Sequence, residues 1–207
     1  MKAADRVAAG IDAVVVGASA GGVEAMLTLL PNLRAGLDAA VFVVIHLPRD
    51  RPSLLPSIFQ PRCVLPVVEA EDKMPVERGT VYVAPADYHV LIDRGPSLAL
   101  SADEPVHWSR PSVDVLFESA ADVYGRRLLG IILTGWNRDG ANGLEAVRRA
   151  GGTTIAQCPD SAQASTMPAA ALEQGAADFV LTLDEIATLL AGLAGTGTAR
   201  ASAPAPH

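Results

Sequence analysis

The stretch VVVGASAGGV at positions 14–23 constrains the fold more than any other part of the chain. Its apolar start predicts a buried strand, and VEAML at 23–27 predicts the beginning of a helix. Three glycines lie between them, where a side chain would clash or force a strained left-handed conformation. Ser19 is therefore predicted to lie on a sharp turn from strand to helix.

Two kinds of site use a serine on such a turn. The spacing Gly17-x-Ser19-x-Gly21 is that of a nucleophile elbow, in which backbone amides beside the serine stabilise an oxyanion. A phosphate cradle is the weaker alternative, because the stretch lacks the Lys-Ser/Thr ending of a P-loop and the spacing G-x-G-x-x-G. A tight turn with a solvated serine is the third interpretation, and the motif alone does not decide among them.

Composition predicts a globular protein. Half of the 207 residues are apolar, and 23 acidic against 16 basic residues give a net charge of −7, which does not support nucleic-acid binding. Cys63 and Cys158 lack a C-x-x-C partner, which favours reduced thiols in a cytoplasmic protein. The N-terminus shows neither a membrane span nor a signal peptide, so we predict no membrane insertion. Residues 1–193 are predicted to form one domain, followed by a disordered tail at 194–207.

The order of apolar runs predicts an α/β fold, a doubly wound and mostly parallel sheet in three Rossmann-like αβα layers. Beyond the first strand, further strands are predicted at 41–45, 64–68, 81–84, 128–133 and 153–157. Segments 90–92 and 98–100 predict a small antiparallel hairpin appended to the sheet. Helices are predicted at about 53–59, 112–124, 143–150 and 167–175, and a capping box formed by Thr182 and Glu185 predicts the last helix.

Three side chains with the chemistry of a nucleophilic triad each follow a predicted strand: Ser19, His46 and Asp139. Because ligand sites form at the carboxyl edge of a parallel sheet, the three are expected to meet there. Taken singly, a histidine that closes a strand is more often structural, and an aspartate before glycine is a common turn former. No two histidines share helical ligand spacing with a carboxylate or cysteine, so no metal and no cofactor is predicted.

Six ordered sequence words resemble the catalytic domain of the CheB-type protein-glutamate methylesterases of bacterial chemotaxis, over about residues 12–186. The words are GASAGGVEA from Gly17, VVIHLP from Val43, VYVAPADYH from Val81, RPSVDVLF from Arg110, IILTG with RDGA from Ile131, and TTIAQ from Thr153. The resemblance implies that Ser19 is the nucleophile, His46 the general base and Asp139 the orienting carboxylate. Backbone amides after Ser19, at Ala20 and Gly21, are then candidates for oxyanion binding.

The resemblance also implies a reaction and a partner. The reaction is hydrolysis of glutamate γ-methyl esters on the cytoplasmic domain of methylated chemoreceptors, which releases methanol, and some members also deamidate receptor glutamines. The family's usual form carries an N-terminal receiver domain, but only about ten residues precede the first strand here, so we expect constitutive activity or a regulator acting in trans. The alternative is a non-catalytic module on the same fold that recognises a nucleotide or a partner protein.

The chain departs from the family pattern beside the expected site. Ala20 stands where the family commonly has Thr, and Trp136 and Asn137 stand where it commonly has Met-Gly. These departures bear on substrate range and oxyanion geometry. Trp136 has two interpretations: a core residue beneath its turn, since large aromatics are usually well buried, or an apolar lip against the methyl ester.

Overall fold

The computed structural model describes residues 3–7, 10–46, 53–95 and 97–193. The predicted tail at 194–207 lies outside them. The strands are β1 (Ala13–Ala18), β2 (Ala40–Ile45), β3 (Val67–Glu69), β4 (Val81–Val83), β5 (His89–Asp93), β6 (Ser97–Ser101), β7 (Leu128–Ile132), β8 (Thr153–Gln157) and β9 (Phe179–Leu181). The α-helices are α1 (Ala3–Val7), α2 (Gly22–Leu29), α3 (Leu55–Phe59), α4 (Val113–Tyr124), α5 (Ala141–Arg149), α6 (Thr166–Glu173) and α7 (Leu183–Ala191).

Seven strands form one sheet in the order β3-β4-β2-β1-β7-β8-β9, and every neighbouring pair is parallel. The remaining strands, β5 and β6, pair only with each other and are antiparallel. The α/β fold and its small hairpin are therefore confirmed, with the hairpin forming a sheet of its own. From β1 the chain first adds strands on one side of the sheet, beginning with β2, and later on the other side, beginning with β7. Ligand sites of such sheets form at the strand where this order of addition switches sides.

Both faces of the sheet are covered. Along β1, Val14 and Val16 pack with Met26 of α2 on one face, whereas Val15 packs with Phe117 of α4 on the other. Ile186 of α7 belongs to the first face. A strand buried on both faces must be apolar at every position, which is why continuous apolar runs predicted the central strands correctly.

The edges of the sheet differ from the sequence prediction. Strand β3 begins at Val67 rather than at Val64, because Val64 is exposed and contributes nothing to the core. Strand β9 was not predicted, since it has three residues and its central Val180 is exposed. Thr182 and Glu185 form the predicted capping box at the start of α7.

Gly17 lets the start of α4 approach the sheet. A Cβ built on Gly17 would lie 2.9 Å from Cγ2 of Val113 and closer still to Cγ1. We expect Gly17→Ala to lower the free energy of unfolding by about 1–3 kcal/mol, the usual penalty of overpacking. Urea denaturation measures this, and Val113→Ala in the same chain should recover part of the loss because it removes the collision. Equal stability of wild type and Gly17→Ala would contradict this close packing.

Candidate active site

His46 and Asp139 form the centre of the site. Nε2 of His46 lies 2.8 Å from Oδ2 of Asp139. His46 directly follows β2, and Asp139 lies in the loop between β7 and α5. The imidazole is 12% exposed and the carboxylate is fully buried. The structure thus brings together two of the three residues predicted to form a triad.

The first turn of α4 fixes the Asp139 carboxylate. Ser112, the N-cap of that helix, donates its hydroxyl to Oδ1 at 2.7 Å. The backbone amides of Val113 and Asp114 donate to Oδ2 and Oδ1 at 2.7 and 3.1 Å. A carboxylate at a helix N-terminus is stabilised by these otherwise unpaired amides and by the helix dipole. His46 is the fourth donor, so each oxygen of the Asp139 carboxylate accepts two hydrogen bonds and the orientation of the group is fixed.

These contacts decide the charge of Asp139. Burial alone raises the pKa of its carboxyl, but the hydrogen bond and charge of His46, the Val113 amide and the Ser112 hydroxyl outweigh burial and place the pKa below its ordinary value. An ionised carboxylate only accepts hydrogen bonds. Nε2 of His46 must therefore carry the proton of the neutral ring, which leaves the lone pair on Nδ1.

A second buried carboxylate, Asp114, holds the loop that carries Asp139. Its Oδ1 accepts the amides of Gly140 and Gly143 at 2.9 and 2.7 Å, and its Oδ2 lies 3.4 Å from Nε2 of His107. Burial raises the pKa of Asp114, and the neighbouring charge of Asp139 raises it further, although these donors oppose the change. The pKa of Asp114 is thus raised, whereas the pKa of the adjacent Asp139 is lowered.

Ser19 lies next to His46 at the carboxyl edge. The pairing of β1 with β2 ends at Ala18 and Ile45, and the amide of His46 donates to the carbonyl of Ala18 at 3.2 Å. Ser19 and His46 are therefore the next residues along two neighbouring strands, which lie about 4.8 Å apart in a sheet. On its other side, the amide of Ser19 donates to the carbonyl of Thr134 at 2.9 Å.

The hydroxyl of Ser19 makes no hydrogen bond to a residue within the described ranges. Nδ1 of His46 instead faces Nδ2 of Asn137 at 3.3 Å and Oγ of Ser109 at 3.4 Å. The structure thus places Ser19 beside the histidine without a direct hydrogen bond. It adds two polar side chains that sequence reasoning did not place at the ring.

The amides of Ala20 and Gly21, the two candidate oxyanion donors, directly follow Ser19. Gly22 donates its amide to the carbonyl of Ser19 at 2.8 Å, whereas those of Ala20 and Gly21 have no partner in the part of the chain that the structure describes. Gly21 has a φ of 77°, and a Cβ there would collide with the side chain of Gln163. The tight turn predicted from the glycine spacing is present, and the two candidate oxyanion donors lie at the start of α2.

Trp136 is not a core residue. Its side chain is 70% exposed, so the interpretation that it packs beneath the turn is wrong. The preceding Gly135 donates its amide to the carbonyl of Ala164, and its carbonyl accepts the amide of Met167 in α6. Trp108 is also exposed.

Each of the two tryptophans directly precedes a residue that faces the histidine ring. Trp108 precedes Ser109 and Trp136 precedes Asn137, and these following residues are the two that face Nδ1 of His46. Each segment that reaches the ring therefore carries an exposed indole beside it.

Some site residues were identifiable from sequence and some were not. Ser112 and Asp114 lie within the word RPSVDVLF that carried the family resemblance, although the sequence predicted only a helix there, from about residue 112. Ser109 gave no signal, because it reaches His46 through a turn in which His107 and Trp108 have φ values of 48° and 65°. Non-glycine residues seldom adopt such values.

The described part of the chain contains neither a metal-binding cluster nor a membrane-spanning helix. Over those residues, no group of three or more His, Cys, Asp or Glu side chains is arranged to hold a metal ion. Within the same residues, no helix combines the length and the apolar character needed to cross a membrane.

A parallel α/β sheet with a buried His-Asp pair and a glycine-flanked serine at its carboxyl edge has the architecture of a serine hydrolase domain. The family model for CheB methylesterase matches residues 14–190. The crystal structure of the Thermotoga maritima CheB methylesterase catalytic domain superposes with a TM-score of 0.85 at 33% identity, covering 89% of this chain and 99% of that one. The chain belongs to the CheB methylesterase family.

Curated relatives agree with that assignment. The protein-glutamate methylesterase/protein-glutamine glutaminase of Symbiobacterium thermophilum is 41% identical over 184 residues, which cover 89% of this chain and 51% of that protein. A Leptospira interrogans protein that bears the same name provisionally is 42% identical over 178 residues, which cover 86% of this chain and 92% of that protein. The chain thus spans nearly all of one relative and about half of the other.

Proposed function

We propose that this chain is a cytoplasmic protein-glutamate methylesterase that hydrolyses glutamate γ-methyl esters on the cytoplasmic domain of methylated chemoreceptors. Deamidation of glutamine uses the same acyl chemistry and is included, as in the names of the relatives. The observation that carries the proposal is the 2.8 Å pair of His46 and Asp139 beside the Ser19 turn. A carboxylate-held imidazole next to a serine is the arrangement that activates a hydroxyl nucleophile.

In the acylation step, Oγ of Ser19 attacks the ester carbonyl carbon and its proton passes to Nδ1 of His46. Asp139 accepts the Nε2 proton at 2.8 Å and stabilises the imidazolium that forms. The negative charge on the former carbonyl oxygen is met by the amides of Ala20 and Gly21. The ring is used in the opposite sense to that of the serine proteases, where Nδ1 faces the aspartate and Nε2 the serine.

When the tetrahedral intermediate collapses, Nδ1 of His46 returns its proton to the departing methoxide, and methanol leaves an acyl-enzyme on Ser19. Water then gives a proton to the same nitrogen and attacks the acyl carbon. Collapse of this second intermediate transfers the proton back to Oγ of Ser19, which releases the glutamate carboxylate. In this scheme Asp139 stays ionised, as its lowered pKa favours.

Ser19 is preferred to Ser109 as the nucleophile. Oγ of Ser109 lies 3.4 Å from Nδ1 of His46, whereas Ser19 makes no hydrogen bond with that ring. The backbone amide of Ser109, however, already donates to the carbonyl of Val106. Ser19 is followed by two amides that have no partner among the described residues and can bind an oxyanion. Stabilisation of the oxyanion is usually the largest single contribution to catalysis of acyl transfer. A serine-directed phosphonate should therefore label Ser19, and mass spectrometry should find the label retained in Ser109→Ala and lost in Ser19→Ala.

Methanol release from methylated receptor tests the function itself. The wild-type chain should release methanol and Ser19→Ala should not. A binding module of the same fold would release none and would not react with the phosphonate. Ligand-dependent stabilisation by ATP or a dinucleotide would instead support the nucleotide-binding alternative.

Trp136 is proposed to form an apolar lip of the substrate site. A flat, rigid indole is less adaptable than the thioether of methionine. We therefore expect Trp136→Met to accept a wider range of ester alcohols, measured as kcat/KM for methyl, ethyl and propyl esters. Stability should change by less than about 0.5 kcal/mol because the side chain is exposed. Val64→Met, another exposed position, is the control, and an unchanged ester profile in Trp136→Met would refute the lip.

A further inference from the structure

The amide of Asn137 is held at both ends. Its Oδ1 accepts the backbone amide of Asp139 at 3.2 Å, and its Nδ2 donates to Oγ of Ser109 at 3.1 Å. The oxygen end is thus occupied by a backbone donor, so the amide cannot turn over without losing that bond. Nδ2 is the end that faces Nδ1 of His46, at 3.3 Å.

Asp139 and Asn137 therefore contact opposite nitrogens of one ring with opposite hydrogen-bonding character. Asp139 accepts at Nε2, whereas Asn137 donates toward Nδ1. Only the tautomer with its proton on Nε2 and its lone pair on Nδ1 satisfies both neighbours. That tautomer is the one able to take a proton from Ser19.

We propose that Asn137 is a positioning residue that keeps Nδ1 of His46 unprotonated and therefore available to Ser19. The inference deepens the proposed function, since it assigns a residue that prepares the general base of the same site. The family commonly has glycine at this position, which has no side chain to reach the ring. A glycine there could not orient the histidine ring as Asn137 does.

The lengths of these contacts suit the role. A strong hydrogen bond to Nδ1 would compete with Ser19 for the single lone pair, but contacts of 3.3 and 3.4 Å lie beyond the usual range of a strong N–H or O–H bond. Asn137 can then yield the lone pair during the reaction. Its stronger bond to Ser109, at 3.1 Å, keeps the amide in place meanwhile.

Asn137→Asp is the decisive variant, because it keeps the shape and turns the donor into an acceptor. Between two carboxylates, the ring should hold a proton on Nδ1 as well as on Nε2, and the base is lost. We expect kcat to fall by about 10²–10⁴-fold, the usual contribution of a general base, with KM within about threefold. Nitrogen-15 NMR of the histidine rings, with His46 assigned by comparison with His46→Ala, should show Nδ1 unprotonated in wild type and protonated in the variant.

Two more variants separate positioning from structure. Asn137→Ala removes the donor without adding an acceptor, so kcat should fall only about 2–10-fold, as for one neutral hydrogen bond, and Nδ1 should stay unprotonated. Asn32→Asp makes the same charge change on an exposed amide that donates to Thr28, and it should match wild type. Circular dichroism verifies the fold of each variant.

Three results would overturn the inference: Nδ1 protonated in the wild-type ring, an unchanged ring in Asn137→Asp with kcat within threefold, or equal losses in Asn137→Ala and Asn137→Asp. The NMR measurement needs no substrate. A wild-type chain that released no methanol but showed the expected ring states would therefore refute the proposed function and leave the role of Asn137 standing.

Discussion

Replacing Ser19 or His46 with alanine should lower kcat by as much as about 10⁶-fold, and replacing both should add little. Residues that act as one unit give non-additive losses, because the first substitution already disables the shared step. Ser19 is proposed to supply the hydroxyl, and His46 is the residue that follows the neighbouring strand β2. Methanol release under single-turnover conditions measures the chemical step directly.

Ser57→Ala is a matched control for this prediction. Ser57 is exposed in α3, donates its hydroxyl to the carbonyl of Leu54 and should be replaceable with activity within twofold of wild type. Activity within tenfold of wild type in His46→Ala would rule out the assigned general base. Activity retained by Ser19→Ala but lost by Ser109→Ala would transfer the nucleophile to Ser109.

The second large effect is expected for Asp139→Asn, which should lower kcat by about 10⁴-fold, as the equivalent change does in a serine protease. An asparagine amide presents a donor to Nε2 of His46 and thereby favours the tautomer with its proton on Nδ1, where it blocks the base. The fold should survive because the first turn of α4 still finds an acceptor in Oδ1. Circular dichroism and kcat together test this prediction.

The difference in the free energy of unfolding between wild type and Asp139→Asn should depend on pH. The folded pKa of Asp139 lies below its ordinary value of about 3.9. Its contribution to the free energy of unfolding is therefore present above about pH 4 and is lost as the pH falls through the folded pKa. The stability difference between wild type and Asp139→Asn should be largest near neutral pH and shrink toward acid. Urea denaturation over a pH series would show a constant difference if this carboxylate were not ionised in the fold.

Much of the fold was predictable because its central strands are buried on both faces. β1, β2 and β7 are continuous apolar runs, and each ends in a loop that carries one triad candidate. The short edge strand β9 gave no such signal, since three half-covered residues show neither continuous burial nor clear alternation. The exposure of Trp136 was not predictable from any local pattern, since a tryptophan in a turn can be buried or exposed.

The finer geometry of the site was not predictable for a related reason. Ser109 and His46 are 63 residues apart in sequence, and their contact depends on the left-handed turn before Ser109. The choice of Nδ1 as the base follows from which ring nitrogen meets Asp139. The contact of Ser109 with His46 and the choice of ring nitrogen both depend on tertiary packing of α4 and the β7–α5 loop on the sheet.

Helix α4 and the loop that carries Asp139 are hydrogen-bonded to each other in both directions. The helix donates to Asp139, and the loop in turn donates to Asp114 of that same helix. Neither segment can withdraw without removing hydrogen-bond donors from a buried carboxyl group on the other, so we expect the start of the helix and the loop to separate only together.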